Sequence, residues 1–70
     1  MKKGGNLACI LNAANEIAVD AFLNDKINFL QIAQINEKCM NTIAFIEIPT
    51  YEDYVSTDYE TRKFAQSLIH

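Results

Sequence analysis

The 70-residue chain has no tryptophan, one proline, two glycines, two cysteines and one histidine. Each shortage removes a class of protein. The only histidine is the last residue, His70, and the two cysteines, Cys9 and Cys39, stand alone without C-x-x-C partners. Zinc needs three or four converging ligands, so a zinc site is excluded. A terminal histidine frays, which leaves no base within hydrogen-bond reach of a serine or cysteine nucleophile. One disulfide is possible in principle, but small secreted scaffolds normally carry four or more cysteines. Each cysteine sits among apolar neighbours at helical spacing, and buried free thiols are the simpler expectation.

Positive charge is also scarce: six Lys and Arg face nine Asp and Glu. No basic stripe exists to neutralise phosphates, so nucleic acid is not an expected partner. The longest unbroken apolar run, Leu7 to Leu11, is far short of the ~20 residues that span a bilayer. Lys2 and Lys3 precede an apolar stretch, but Asn12, Asn15, Glu16 and Asp20 interrupt any signal-peptide core. A cytoplasmic location without membrane contact follows as the expectation. Gly4-Gly5 lacks the preceding strand and the G-x-G-x-x-G spacing of a phosphate cradle.

What the chain does have is apolar mass: half its residues are hydrophobic. A chain near this size buries only about 60% of the surface its unfolded form exposes. Part of the apolar surface is therefore expected to be covered by something outside the chain.

The pattern of that mass is helical. Gly4-Gly5 reads as a flexible entry and Asn6 as an N-cap. From Leu7 to Leu23 polar residues fall only at 12, 15, 16 and 20, one narrow stripe on a helix otherwise rich in small apolar residues. Such a helix is central, with alanines that let neighbouring backbones approach. Asn24-Asp25-Lys26 breaks it. Asn28 and Gln31 then form an N-x-x-Q capping box for a second helix over 29–43, with Ile27 stapling onto Ile32. Its apolar positions are Ile32, Ile35, Cys39, Met40 and Ile43, and Gln34, Glu37, Lys38 and Asn41 face water.

An irregular connector is expected at 44–49, packing Phe45 and Ile48 inward, because Pro49 biases Ile48 away from helix. Thr50-x-x-Asp53 predicts a short helical turn over 51–55. A second box, Thr57-x-x-Glu60, predicts a last helix over 58–69 that buries Phe64, Ala65, Leu68 and Ile69. In that reading Asp58 and Glu60 lie at the positive end of the helix dipole. The whole is an all-α domain, a small bundle of three to four helices spanning residues 1–70.

Chemistry is sparse. Glu16 and Asp20, at i and i+4, form a carboxylate pair without the histidines that accompany diiron-type sites. Asparagine is a mediocre helix former, and Asn12 and Asn15 sit in a helix built for burial. Buried amides must be hydrogen-bonded, so Leu11-Asn12-Ala13-Ala14-Asn15-Glu16 predicts a face that meets polar groups. Asn12, Asn15 and Glu16 are the candidate structural or interdomain residues. No catalytic, cofactor or metal residues are identified.

The stretch Gly4 to Glu16, GGNLACILNAANE, followed by Ala18-Val19 and Ala21-Phe22-Leu23, resembles the start of the C-terminal helical domain of the 1-deoxy-D-xylulose 5-phosphate reductoisomerases. The resemblance continues through Lys26-Ile27, Phe29 and Ile32, and again at Asp53, Asp58, Arg62 and Ala65. It implies a non-catalytic piece of a larger multidomain enzyme, with residues 1–5 entering from an upstream domain. The implied parent converts 1-deoxy-D-xylulose 5-phosphate to 2-C-methyl-D-erythritol 4-phosphate in isoprenoid synthesis. It uses NADPH and a divalent metal, magnesium or manganese, bound upstream of these residues. The implied partners are the upstream domains and a second subunit of a homodimer. Asn12, Asn15 and Glu16 would face other parts of the enzyme or cap helix ends inside the bundle. The alternative is a free-standing helical protein-interaction module.

Overall fold

The computed structural model describes residues 4–69, so Met1-Lys2-Lys3 and the terminal His70 lie outside the described residues. Three helices carry the fold: α1 (Leu7–Leu23), α2 (Phe29–Thr42) and α3 (Tyr51–Ser67). No strand occurs among the described residues.

The small residues of α1 explain the architecture. Ile10, Ala14 and Ala18 meet Ile35 and Cys39 of α2 and Ala65 of α3 in one buried cluster. Ile17, Ile27, Ile32, Ile43, Phe64, Leu68 and Ile69 close around it. α1 packs extensively on both other helices, while α2 and α3 hardly touch each other. The domain measures 36 × 22 × 17 Å. α1 seats its apolar side in the cleft between α2 and α3 and leaves its polar stripe, Asn12, Asn15, Glu16 and Asp20, in the open.

Local chemistry sets the ends. α1 stops in a Schellman motif: the Lys26 N–H donates to the Ala21 carbonyl at 2.9 Å and the Asp25 N–H to the Phe22 carbonyl at 3.0 Å. Asp25 occupies the left-handed position of that motif, with φ 61°. α2 opens with the expected capping box. The Gln31 N–H donates to Asn28 Oδ1 at 2.9 Å, and the Asn28 N–H to Gln31 Oε1 at 2.8 Å. α3 opens with the Thr50–Asp53 box, at 3.1 and 2.9 Å.

Three expectations need correction. The two separate helices expected at 51–55 and 58–69 are one continuous helix, Tyr51–Ser67. Thr57 and Glu60 have the spacing of a box, but Thr57 is buried and its hydroxyl accepts from Asn6, just ahead of α1. The helix that Thr50 has already started simply runs through. Asp58 and Glu60 are thus mid-helix residues, and Asp58 instead pairs with Arg62 one turn on. Asn6 precedes α1 but makes no side-chain cap. In the connector Ile48 points outward at 85% exposure and Phe45 is half exposed, where both were expected inside.

Candidate functional site

Two polar constellations are built on this scaffold. The first is centred on Asn6, which is fully buried. Its backbone N–H donates to the Ile46 carbonyl at 3.0 Å, and its side-chain Oδ1 accepts from the Ile46 N–H at 2.8 Å. Asn6 thereby presents a donor and an acceptor to Ile46, as a neighbouring β-strand would. Its Nδ2 donates to the Ala44 carbonyl and to Thr57 Oγ1, each at 3.0 Å. The Ala44 carbonyl can only accept and the Ile46 N–H can only donate, which fixes the orientation of the amide. One side chain thus ties the start of α1 to the connector and to the middle of α3.

Gly5 makes the approach possible. It has φ +48°, and a Cβ there would collide with the Ile46 carbonyl and with the Phe45 ring at 2.7 Å. Phe45 lies over Gly5, not in the core, because the connector backbone is held by Asn6. The entry expected to be flexible is a fitted turn at Gly5.

The second constellation is the open face of α1. Asn12 is exposed, and Asn15 accepts a hydrogen bond from Asn36 Nδ2 of α2 at 3.2 Å. Glu16 pairs with Arg62 of α3, Nη2 to Oε1, at 2.5 Å, and Arg62 Nε is shared with Asp58 at 3.0 Å. Its hydrogen bonds to the Asp58 and Glu16 carboxylates hold the Arg62 guanidinium still more firmly charged. Neither Asn15 nor Glu16 caps a helix end; each links α1 to a flanking helix. Asn12, Asn15, Glu16 and Val19 line a shallow hollow on this face.

The thiols are not poised for chemistry. Both cysteines are free, Cys39 in the core and Cys9 partly buried with its Sγ 3.6 Å from the Tyr54 carbonyl. Burial pushes both pKa values up, and at Cys9 Asp58 raises it further while Arg62 opposes. A protonated thiol is a poor nucleophile. Among the described residues no three His, Cys, Asp or Glu converge on a point where a metal could sit. An apolar groove between the connector and α3, walled by Ile43, Ile46, Thr57 and Phe64, has only Glu60 and Lys63 as ionisable groups.

Sequence reasoning missed Asn6 and the ion pair of Glu16 with Arg62. One signal for Asn6 was available. At α2 and α3 the residue three after the cap is Gln31 or Asp53, which reaches back, but after Asn6 it is the apolar Cys9. The capping-box partner was absent.

Fold and site together define a small all-helical domain, internally latched and open on one polar face. The family described as DXP reductoisomerase C-terminal domain matches residues 1–64, and the chain belongs to that family. A 1-deoxy-D-xylulose 5-phosphate reductoisomerase of Phocaeicola vulgatus is 55% identical over 67 residues, which are 96% of this chain and 18% of that protein. The Bacteroides fragilis enzyme of the same name is 51% identical over 69 residues, 99% of this chain and 18% of its own length. That of Bacillus pumilus is 48% identical over 68 residues, with 97% and 18% covered. The chain thus spans about a fifth of the length of the curated relatives it matches. No solved structure matches it.

Proposed function

We propose that this chain is the non-catalytic C-terminal structural domain of a 1-deoxy-D-xylulose 5-phosphate reductoisomerase. The observation that carries the reading is the near-complete match of these residues to one terminal portion of enzymes several times longer. The same match favours a domain of a larger enzyme over a free-standing interaction module. In this reading the full protein, a cytoplasmic homodimer, converts 1-deoxy-D-xylulose 5-phosphate to 2-C-methyl-D-erythritol 4-phosphate with NADPH and a divalent metal. The described residues do not fit either group: no ligand set converges, and no glycine-rich turn follows a strand. In this reading both are held by other parts of the enzyme. The work of this domain is bracing, with Asn12, Asn15 and Glu16 turned toward the upstream domains.

The test is an NADPH-oxidation assay on the product of the whole reading frame, with 1-deoxy-D-xylulose 5-phosphate as substrate. Turnover is expected from the whole product, and NADPH fluorescence is expected to stay unchanged on titration with the 70 residues alone. A reading frame that begins at Met1, or saturable NADPH binding by the 70 residues, overturns the proposal.

A further inference from the structure

The open face of α1 continues onto α3 as an apolar stripe. Tyr51, Val55 and Tyr59 recur every four residues and are 80%, 52% and 62% exposed. They adjoin the polar stripe directly. Asp58 is three residues from Val55 and Arg62 three from Tyr59, and Arg62 reaches Glu16 on α1. The opposite side of α3, with Thr57, Thr61 and Ala65, is the side already buried. Exposed tyrosines beside a fixed polar stripe are the composition of a contact surface, since tyrosine covers area at little entropic cost.

Charge says what covers it. Residues 4–69 carry nine carboxylates against four cations, and between Lys38 and Arg62 there are five acids and no base. On this face Glu16, Asp20 and Asp58 outnumber Arg62, with Lys63 held over the Tyr59 ring at 5.9 Å. A second copy would bring like charge to like charge, which opposes pairing. We infer that Tyr51, Val55 and Tyr59, together with the stripe of Asn12, Asn15 and Glu16, form the face that docks on a lysine- or arginine-bearing apolar surface of the upstream part of the same polypeptide. The inference rests on the structural-domain reading above. It excludes the other exposed apolar cluster, Phe22, Leu23, Phe29 and Leu30 at the α1–α2 turn, from that contact.

Hydroxyl-radical footprinting of the full-length polypeptide tests it. Tyr51 and Tyr59 are expected to label at least about fivefold less than in the unfolded chain, because contact cores exclude water. Leu23, Phe29 and Leu30 stay readily labelled. Protection at the Leu23–Leu30 end instead overturns the face and leaves the structural-domain reading standing. Free labelling of both clusters likewise overturns the face, and the structural-domain reading is then decided by the NADPH assay above. Asp20→Lys, an exposed change on this face, tests the charge. Tyr59 protection is expected to fall at least about twofold as salt is lowered, since repulsion strengthens with a longer screening length. An unchanged footprint at low salt overturns the basic partner.

Discussion

A wholly buried asparagine is tolerable only when every polar atom on it has a partner. Asn6 meets that condition through Ala44, Ile46 and Thr57. Asn6→Ala strips partners from the half-buried Ala44 carbonyl and Ile46 N–H and from the buried Thr57 hydroxyl at once, so its cost is expected near 3 kcal/mol. Asn12→Ala, at an exposed helical site, changes stability by no more than about 0.5 kcal/mol. Urea unfolding of the two variants checks the contrast, and equal midpoints would refute the latch. Asp25 offers the opposite test. It holds a left-handed conformation at the end of α1, where glycine carries no Cβ penalty. Asp25→Gly is therefore expected to raise stability by about 0.5–1 kcal/mol, against the usual direction for glycine substitutions. A lowered melting temperature for Asp25→Gly would show that the Asp25 side chain contributes more than its backbone strain costs.

At the scale of elements, the two capping signals on the last helix make different demands. Thr50 and Asp53 satisfy each other at a true helix start, so Thr50→Ala is expected to cost about 1 kcal/mol. Glu60 has nothing to cap, because the helix passes through Thr57 without a break. Glu60→Ala should leave stability within about 0.5 kcal/mol of the parent. A loss at Glu60 matching that at Thr50 would mean that a second helix does begin at residue 58. The contrast also marks what the sequence could reveal. α1 and α2 were legible to within a residue because their apolar period, the Asn28–Gln31 box and the Asn24-Asp25-Lys26 breaker agree. The break between 55 and 58 was misread because box spacing is local, while the Thr57 hydroxyl is engaged by Asn6, far away in sequence. Ile48 was misplaced for a related reason: the connector is held through the backbone of residues 44 and 46, and side-chain alternation says nothing about such bonds. The polar stripe was legible as a stripe. Its partners Asn36 and Arg62 were not, because they depend on how α2 and α3 are rotated against α1.

The whole molecule is organised as a hub with two flanking helices, and this governs how it should fail. α2 and α3 each pack on α1 and hardly meet, so neither has an alternative place to bury its apolar side. Ile10 is the largest fully buried side chain on α1 and belongs to the cluster shared by all three helices. Truncating it to alanine removes transfer free energy and leaves a cavity, at a cost of about 2–5 kcal/mol. Domains of this size have only about 4–10 kcal/mol to lose, at roughly 0.05–0.15 kcal/mol per residue. Ile10→Ala should therefore depress the whole far-ultraviolet helical signal in one transition at a much lower temperature. Leu30→Ala, at a site 72% exposed, is expected to shift the midpoint little, the core being untouched. If Ile10→Ala left a residual helical plateau, α2 and α3 would have a stable pairing of their own. The apolar excess in the composition would then be spent inside the domain, and less of it would be left for the face that looks outward.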